Sequence, residues 1–220
     1  MKRQYLGDSK DSFKWDYHDH LVRMLGYQTL KVAWMMKPDD GGTDGSSAPE
    51  LFPARPEVLR FCNQLKASHD PGLVTSLPSA TEASYSVALS EPVLGRDDKL
   101  ESAFFHGIKA GKSDVVFLDP DNGFEPEKSS TDRHVRYNDL ETLVRAAHPD
   151  AVITVFQHHR RRKFPDDFAR IRERIVSGNT CAIYWHSLMF VCISSSHLTM
   201  ARVREINHAY AAVRPVIALD

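Results

Sequence analysis

The sequence predicts one α/β domain over residues 1–220. Its sheet is mostly parallel, carries helices on both faces and ends in an antiparallel hairpin. Three observations predict this. Val115–Leu118 and Ala151–Phe156 are unbroken apolar or β-branched runs, the pattern of strands buried on both faces. Segments of helical spacing alternate with such runs, which implies parallel strands joined by helical crossovers. Near the end, the apolar runs Cys181–Trp185 and Met189–Ile193 are separated only by His186-Ser187-Leu188.

The elements follow in order. Trp15–Leu25 reads as the first helix and Leu30–Met36 as a short buried strand. Arg55–Ala67 is helical, with Val58, Leu59, Cys62 and Leu65 on one stripe. Tyr85–Leu89 is a candidate strand. Asp97–Ala110 is helical on the stripe Leu100, Phe104, Ile108. Tyr137–Ala147 is a helix, with Asn138 as N-cap and Glu141 three residues on. Asp166–Ser177 carries Phe168, Ile171 and Ile175 and stops before Gly178. Leu198–Val213 is the last helix. Irregular chain is expected at Lys37–Pro49 and between Ser68 and Gly95, both rich in Gly, Pro and Ser.

Composition narrows the function classes. The net charge of -1 gives no global basic field, so nucleic-acid binding would need a local patch. Three cysteines without CxxC spacing form neither a disulfide framework nor a zinc knuckle, which removes the zinc deaminases. Neither a signal peptide nor a membrane span is legible, so a cytoplasmic location and no membrane partner are expected.

Four segments could carry chemistry. Asp119-Pro120-Asp121-Asn122-Gly123 follows the buried strand Val115–Leu118, at the strand end where open α/β sheets bind ligands. The same residues would also make an ordinary capped turn. Pro38–Gly45, which contains Asp40, Gly41, Gly42, Asp44 and Gly45, follows the first strand. Its carboxylates would repel phosphate; they suit an ammonium, ribose hydroxyls or a divalent metal. It is neither a P-loop nor GxGxxG. Gln157-His158-His159-Arg160-Arg161-Arg162-Lys163 follows the next buried strand and is the chain's densest basic run. His158 and His159 are candidate bases or metal ligands, and Arg160, Arg161, Arg162 and Lys163 are candidate phosphate contacts. His18 and His20 fall on different helix faces and would not share a metal. Trp185 and His186 read as residues at the edge of the core.

The fourth segment is the N-terminus, Tyr5-Leu6-Gly7-Asp8-Ser9-Lys10-Asp11-Ser12-Phe13-Lys14. It resembles the opening of bacterial adenine-N6 methyltransferases acting on ribosomal RNA, in which an aromatic, Gly-Asn, Asp and Lys lead into the first helix. Tyr5, Gly7, Asp8, Asp11 and Lys14 occupy those slots, with Asp8 where the family has Asn. Asp119-Pro120-Asp121-Asn122 is similar to the (Asp/Asn)-Pro-Pro-aromatic motif of adenine amino-methyltransferases, with Asp121 and Asn122 departing from it and Phe124 the nearest aromatic. The resemblance covers residues 2–15 and the segment around Asp119. The FLDPDNG motif also resembles an uncharacterised bacterial family, to which no activity is attached. Strand, helix and antiparallel hairpin is also the ending of Rossmann-like methyltransferase sheets.

The resemblance implies a Rossmann-like fold and S-adenosylmethionine as cofactor. Lys14 and the Asp40–Gly45 loop would lie on the cofactor side. Asp119 and the Pro120 carbonyl would orient an acceptor amine, beside Asp121, Asn122 and His158. RNA or DNA would be the partner. Two alternatives stand beside this reading. One is a phosphodiesterase or nuclease using Mg²⁺ or Mn²⁺ on Asp119, Asp121 and His158, with His159 adjoining. The other is a catalytically silent nucleic-acid or protein-binding module.

Overall fold

The protein is described by a computed structural model over residues 2–39, 41, 45–89, 105, 107–128 and 130–220. The helix expected over 97–110 falls mostly on residues 90–104 and 106, outside the described residues, as do Asp40, Gly42 and Asp44 of the Gly/Asp loop.

A seven-stranded sheet forms the middle layer. Its strands are β1 (Thr29–Trp34), β2 (Ser86–Leu89), β3 (Asp114–Asp119), β6 (Val152–His158), β7 (Asn179–Trp185), β8 (Leu188–Ser194) and β9 (Ile217–Leu219). Their order across the sheet is β2-β1-β3-β6-β8-β7-β9. β2, β1, β3 and β6 pair in parallel, and β8 is antiparallel to both β6 and β7. β7 therefore runs with the parallel set, and only β8 and β9 oppose it. β4 (Gly123–Phe124) and β5 (His134–Val135) form a separate two-stranded pairing.

Alternation along the strands splits the core in two. Leu30, Val32, Val115, Phe117, Cys192 and Phe190 face one layer of helices. This layer comprises α1 (Ser9–Leu25), α2 (Pro56–Ser68), the short α3 (Leu77–Ala80) and α6 (His197–Ala211). Ala33, Val116, Leu118, Ile153 and Val191 face α4 (Tyr137–Ala146) and α5 (Phe164–Arg174) on the other side. The result is the three-layer, Rossmann-like α/β arrangement expected from the strand and helix pattern. Among the described residues, no helix is long and apolar enough to cross a membrane.

Helix boundaries differ from the sequence reading for identifiable reasons. α1 starts at Ser9, six residues before Trp15, because Asp8 caps it: the Asp8 carboxylate accepts from the Lys10 and Asp11 amides at 2.9 and 3.0 Å. α4 starts at Tyr137 with no cap from Asn138; Glu125 Oε1 accepts from the Tyr137 amide at 2.9 Å. Glu141 turns instead to the Val176 and Ser177 amides. α5 starts two residues earlier than expected and ends at Arg174, ahead of Gly178, although Ile175 stays buried.

α1 is enclosed along nearly its whole length and carries Asp11, Lys14, Asp16, His18 and Asp19 into the interior. Buried charge needs partners. Asp16 receives Arg55 at 2.7 Å, Tyr210 at 2.6 Å and Arg214 at 3.1 Å. Asp19 receives Thr81, Tyr85 and Arg55. The remaining members build the site below.

Candidate active site

β1 and β3 are neighbours, but the chain leaves β1 for β2 on one side and β3 for β6 on the other, so the two connections diverge above their carboxyl ends. In open α/β sheets this divergence leaves a ligand crevice. A cleft of about 320 Å³ opens at the carboxyl ends of the neighbouring strands β3 and β6. That size falls within the range of small-ligand pockets. Asp119, Pro120, Asp121 and Asn122 line it from the end of β3. Phe156 and His158 line it from β6, and Lys14 joins them from α1.

At its base is a buried ion-pair chain. Lys14 Nζ lies 3.0 Å from Asp119 Oδ2 and 2.8 Å from Asp11 Oδ1. Asp11 Oδ2 accepts from the Gly7 amide at 2.8 Å. All three charged side chains are almost wholly enclosed. The rings of Trp15, Trp34, Phe117 and Phe156 surround the ammonium at 5.6–5.9 Å. Gly7 holds a left-handed backbone, and a Cβ there would sit 2.2 Å from the Cys62 carbonyl oxygen of α2. Only glycine lets this turn lie against α2.

Electrostatics follow from burial and these partners. Burial alone would lower the Lys14 ammonium, but Asp11 and Asp119 outweigh it and hold it above its ordinary range. Burial pushes the Asp119 carboxyl up, against the pull of Lys14. Burial and the Asp11 carboxylate push Asp8 up to about 6. Burial lowers His158, which keeps its imidazole neutral near pH 7. Beneath the site, His18 Nδ1 meets the Lys14 carbonyl at 2.7 Å and Nε2 meets Thr154 Oγ1 at 2.8 Å. Burial lowers His18 to about 3.

The turn after β3 is fixed from both sides. The Asn122 amide donates to the Arg133 carbonyl at 3.0 Å, and Arg133 Nη1 approaches Asp121 to 3.7 Å. Gln157 Oε1 accepts from the Phe124 amide at 2.9 Å, while its Nε2 donates to Asp167 at 3.1 Å. Gly123 has a φ of 98°, and a Cβ there would meet Gln157 Oε1 at 2.3 Å. The bend thus requires glycine beside Gln157.

The structure gathers Lys14, Asp119, Pro120, Asp121, Asn122 and His158 around one cleft, as the sequence reading expected. Other expectations change. Phe124 is fully buried and stacks on Tyr137 at 5.5 Å, so it is no platform for a ligand in this cleft. The half-buried Arg160 guanidinium donates to the Phe124 carbonyl, and Arg161, Arg162 and Lys163 are exposed. His159 is exposed, its ring edge-on to Phe164. Gly41 is exposed, and Gly45 stands against Gln4 and Tyr5. Among the described residues, Lys2, Tyr5, Asp8 and Lys10 of the N-terminal segment also line the cleft.

Lys2, Lys10 and Arg133 are lining residues that the sequence reading missed. Lys2 and Lys10 lay inside the N-terminal motif; Arg133 gave no local signal.

Lys14 Nζ occupies the Oδ2 side of Asp119. Among the described residues, no three His, Cys, Asp or Glu side chains are grouped to hold a metal ion. No family model and no curated protein matches the chain.

Proposed function

We propose that this protein is an S-adenosylmethionine-dependent amino-methyltransferase acting on nucleic acid. One observation carries the reading: the Lys14–Asp119 ion pair joins the two segments that bear the resemblance. The N-terminal Gly-Asp-x-x-Asp-x-x-Lys and the Asp-Pro motif stand 105 residues apart in sequence and meet at a single cleft. The succession of strand β6, helix α5 and antiparallel hairpin β7–β8, to which β9 is added at the edge, supports the same reading.

The cleft's side chains suit this cofactor. Its amino-acid end is a zwitterion, and Asp8 and Asp121 are set here beside Lys10 and Arg133. Phe156 offers an aromatic face for the cationic sulfonium or the adenine. When bound, S-adenosylmethionine supplies an electrophilic methyl group. The protein's own task is positioning rather than strong acid–base chemistry. Asp119, locked by Lys14, and the Pro120 carbonyl accept hydrogen bonds from an exocyclic amine and aim its lone pair. His158, neutral and at the rim, accepts the proton that the amine sheds. A base within a duplex must first be extruded to reach Asp119 at the cleft floor.

The metal-dependent nuclease reading is weaker, because Lys14 already neutralises Asp119. The test is transfer of labelled methyl groups from S-adenosylmethionine to RNA and DNA in EDTA. The wild type transfers label, and Asp119→Asn loses at least ten-fold in rate. Absence of transfer to any nucleic acid, together with Mn²⁺-dependent cleavage, would overturn the proposal.

A further inference from the structure

A second groove, of about 750 Å³, opens beside the cleft and shares Asp8, Lys10 and His158 with it. Its far wall is the turn between β7 and β8: Trp185, His186 and Ser187, facing Leu51. Trp185 is partly buried and held edge-on by Phe52 at 5.0 Å and Phe13 at 6.3 Å. The exposed His186 ring lies 5.7 Å from it. His186 has a φ of 49° in a two-residue turn, where glycine or asparagine is the unstrained choice. Strained residues of this kind cluster at functional sites. The Ser187 carbonyl accepts from the His159 amide at 2.8 Å, which ties the turn to the loop bearing the exposed Arg161, Arg162 and Lys163.

We propose that this groove is a subsite for single-stranded nucleic acid, with an unpaired base stacked on Trp185 and backbone phosphates on Lys10 and the Arg161–Lys163 loop. An anchored aromatic next to clustered cations is how proteins bind single strands without strict sequence preference. In a chain of net charge -1 the attraction has to be local: Lys10 lines the groove, and the Arg161–Lys163 loop is joined to its wall through the His159–Ser187 hydrogen bond. Stacking needs an open base face, so a duplex is excluded from the groove. The proposal deepens the methyl-transfer reading by naming the form of the acceptor, and it leads the strand past His158 to Asp119.

The test uses the full-length protein without cofactor. A fluorescent RNA of about twelve nucleotides, within the usual single-strand site sizes, and its duplex are titrated by anisotropy at two salt concentrations. The single strand is expected to bind at least ten-fold more tightly than the duplex. Trp185→Leu weakens it about ten-fold with its salt dependence unchanged. Trp185→Phe, which keeps the packing on Phe52, falls between. The double variant R161Q/R162Q lowers the salt slope by about one to two. His186→Gly melts higher, because strain is relieved, yet binds more weakly. Equal affinity for duplex, or wild-type binding by both Trp185→Leu and His186→Gly, would overturn the proposal. Failure to bind S-adenosylmethionine leaves this outcome untouched, so the two readings fail separately.

Discussion

Replacing Lys14 with methionine removes a cation that bridges two enclosed carboxylates. Methionine fills much of the lysine volume, so the principal loss is electrostatic. Asp119 at 3.0 Å and Asp11 at 2.8 Å are left facing each other across a site walled by four aromatic rings. Breaking a buried pair by removing one partner costs about 3–5 kcal/mol, because the remaining charge is uncompensated. With a urea m-value of about 2.5 kcal/mol/M, the midpoint falls by about 1.2–2 M. Asp119→Asn in the Lys14→Met background removes one stranded charge, so the double variant is more stable than Lys14→Met alone. Urea unfolding of the wild type, both single variants and the double variant closes the cycle. A midpoint shift below about 0.3 M for Lys14→Met, or strict additivity in the cycle, would refute the ion-pair reasoning.

Substitutions at three further positions test the surroundings. His18 is held neutral to about pH 3 in the folded protein, against an ordinary value of 6.5. The folded state therefore binds fewer protons than the unfolded one between those values, and stability is full above 6.5 and lost as pH falls. The stability advantage of wild type over His18→Gln shrinks by up to about 1.4 kcal/mol per pH unit below 6.5; an advantage that grows on acidification contradicts this. Asp8, with its carboxyl raised to about 6, loses favour as pH rises through that value. Asp8→Asn therefore keeps full stability at pH 7.5, whereas Asp8→Ala loses about 1 kcal/mol of capping; equal damage from both would refute the capping role. Gly123→Ala costs about 1–3 kcal/mol from backbone strain alone, with the Gln157 clash added. A urea midpoint equal to wild type would mean that the turn is not as described.

The parts legible in the sequence were those that obey periodicity. Val115–Leu118 and Ala151–Phe156 read as strands because both faces are apolar, and both are fully enclosed. The first turns of α1 were missed because Asp11, Ser12 and Lys14 break the apolar pattern, although they are among its most buried residues. A paired charge is buried at a partner's discretion, and Asp119 lies 105 residues away. Likewise, α4 takes its cap from Glu125 rather than from a residue beside it. β9 escaped notice because its three residues form an edge strand, with Ile217 exposed. At the site, strand ends located Asp119, Asp121 and His158, since topology alone places those. Phe124, the nearest aromatic to the motif, is turned toward Tyr137 by the bend at Gly123.

The most direct measurement is isothermal titration of S-adenosylhomocysteine into the full-length protein in EDTA, repeated with Asp121→Asn. The predicted result is a saturable isotherm of one ligand per chain, independent of metal and weakened at least ten-fold in the variant. No binding at millimolar ligand in the correctly folded wild type, or binding that appears only with Mn²⁺, would contradict a methyl-donor cleft at Lys14 and Asp119.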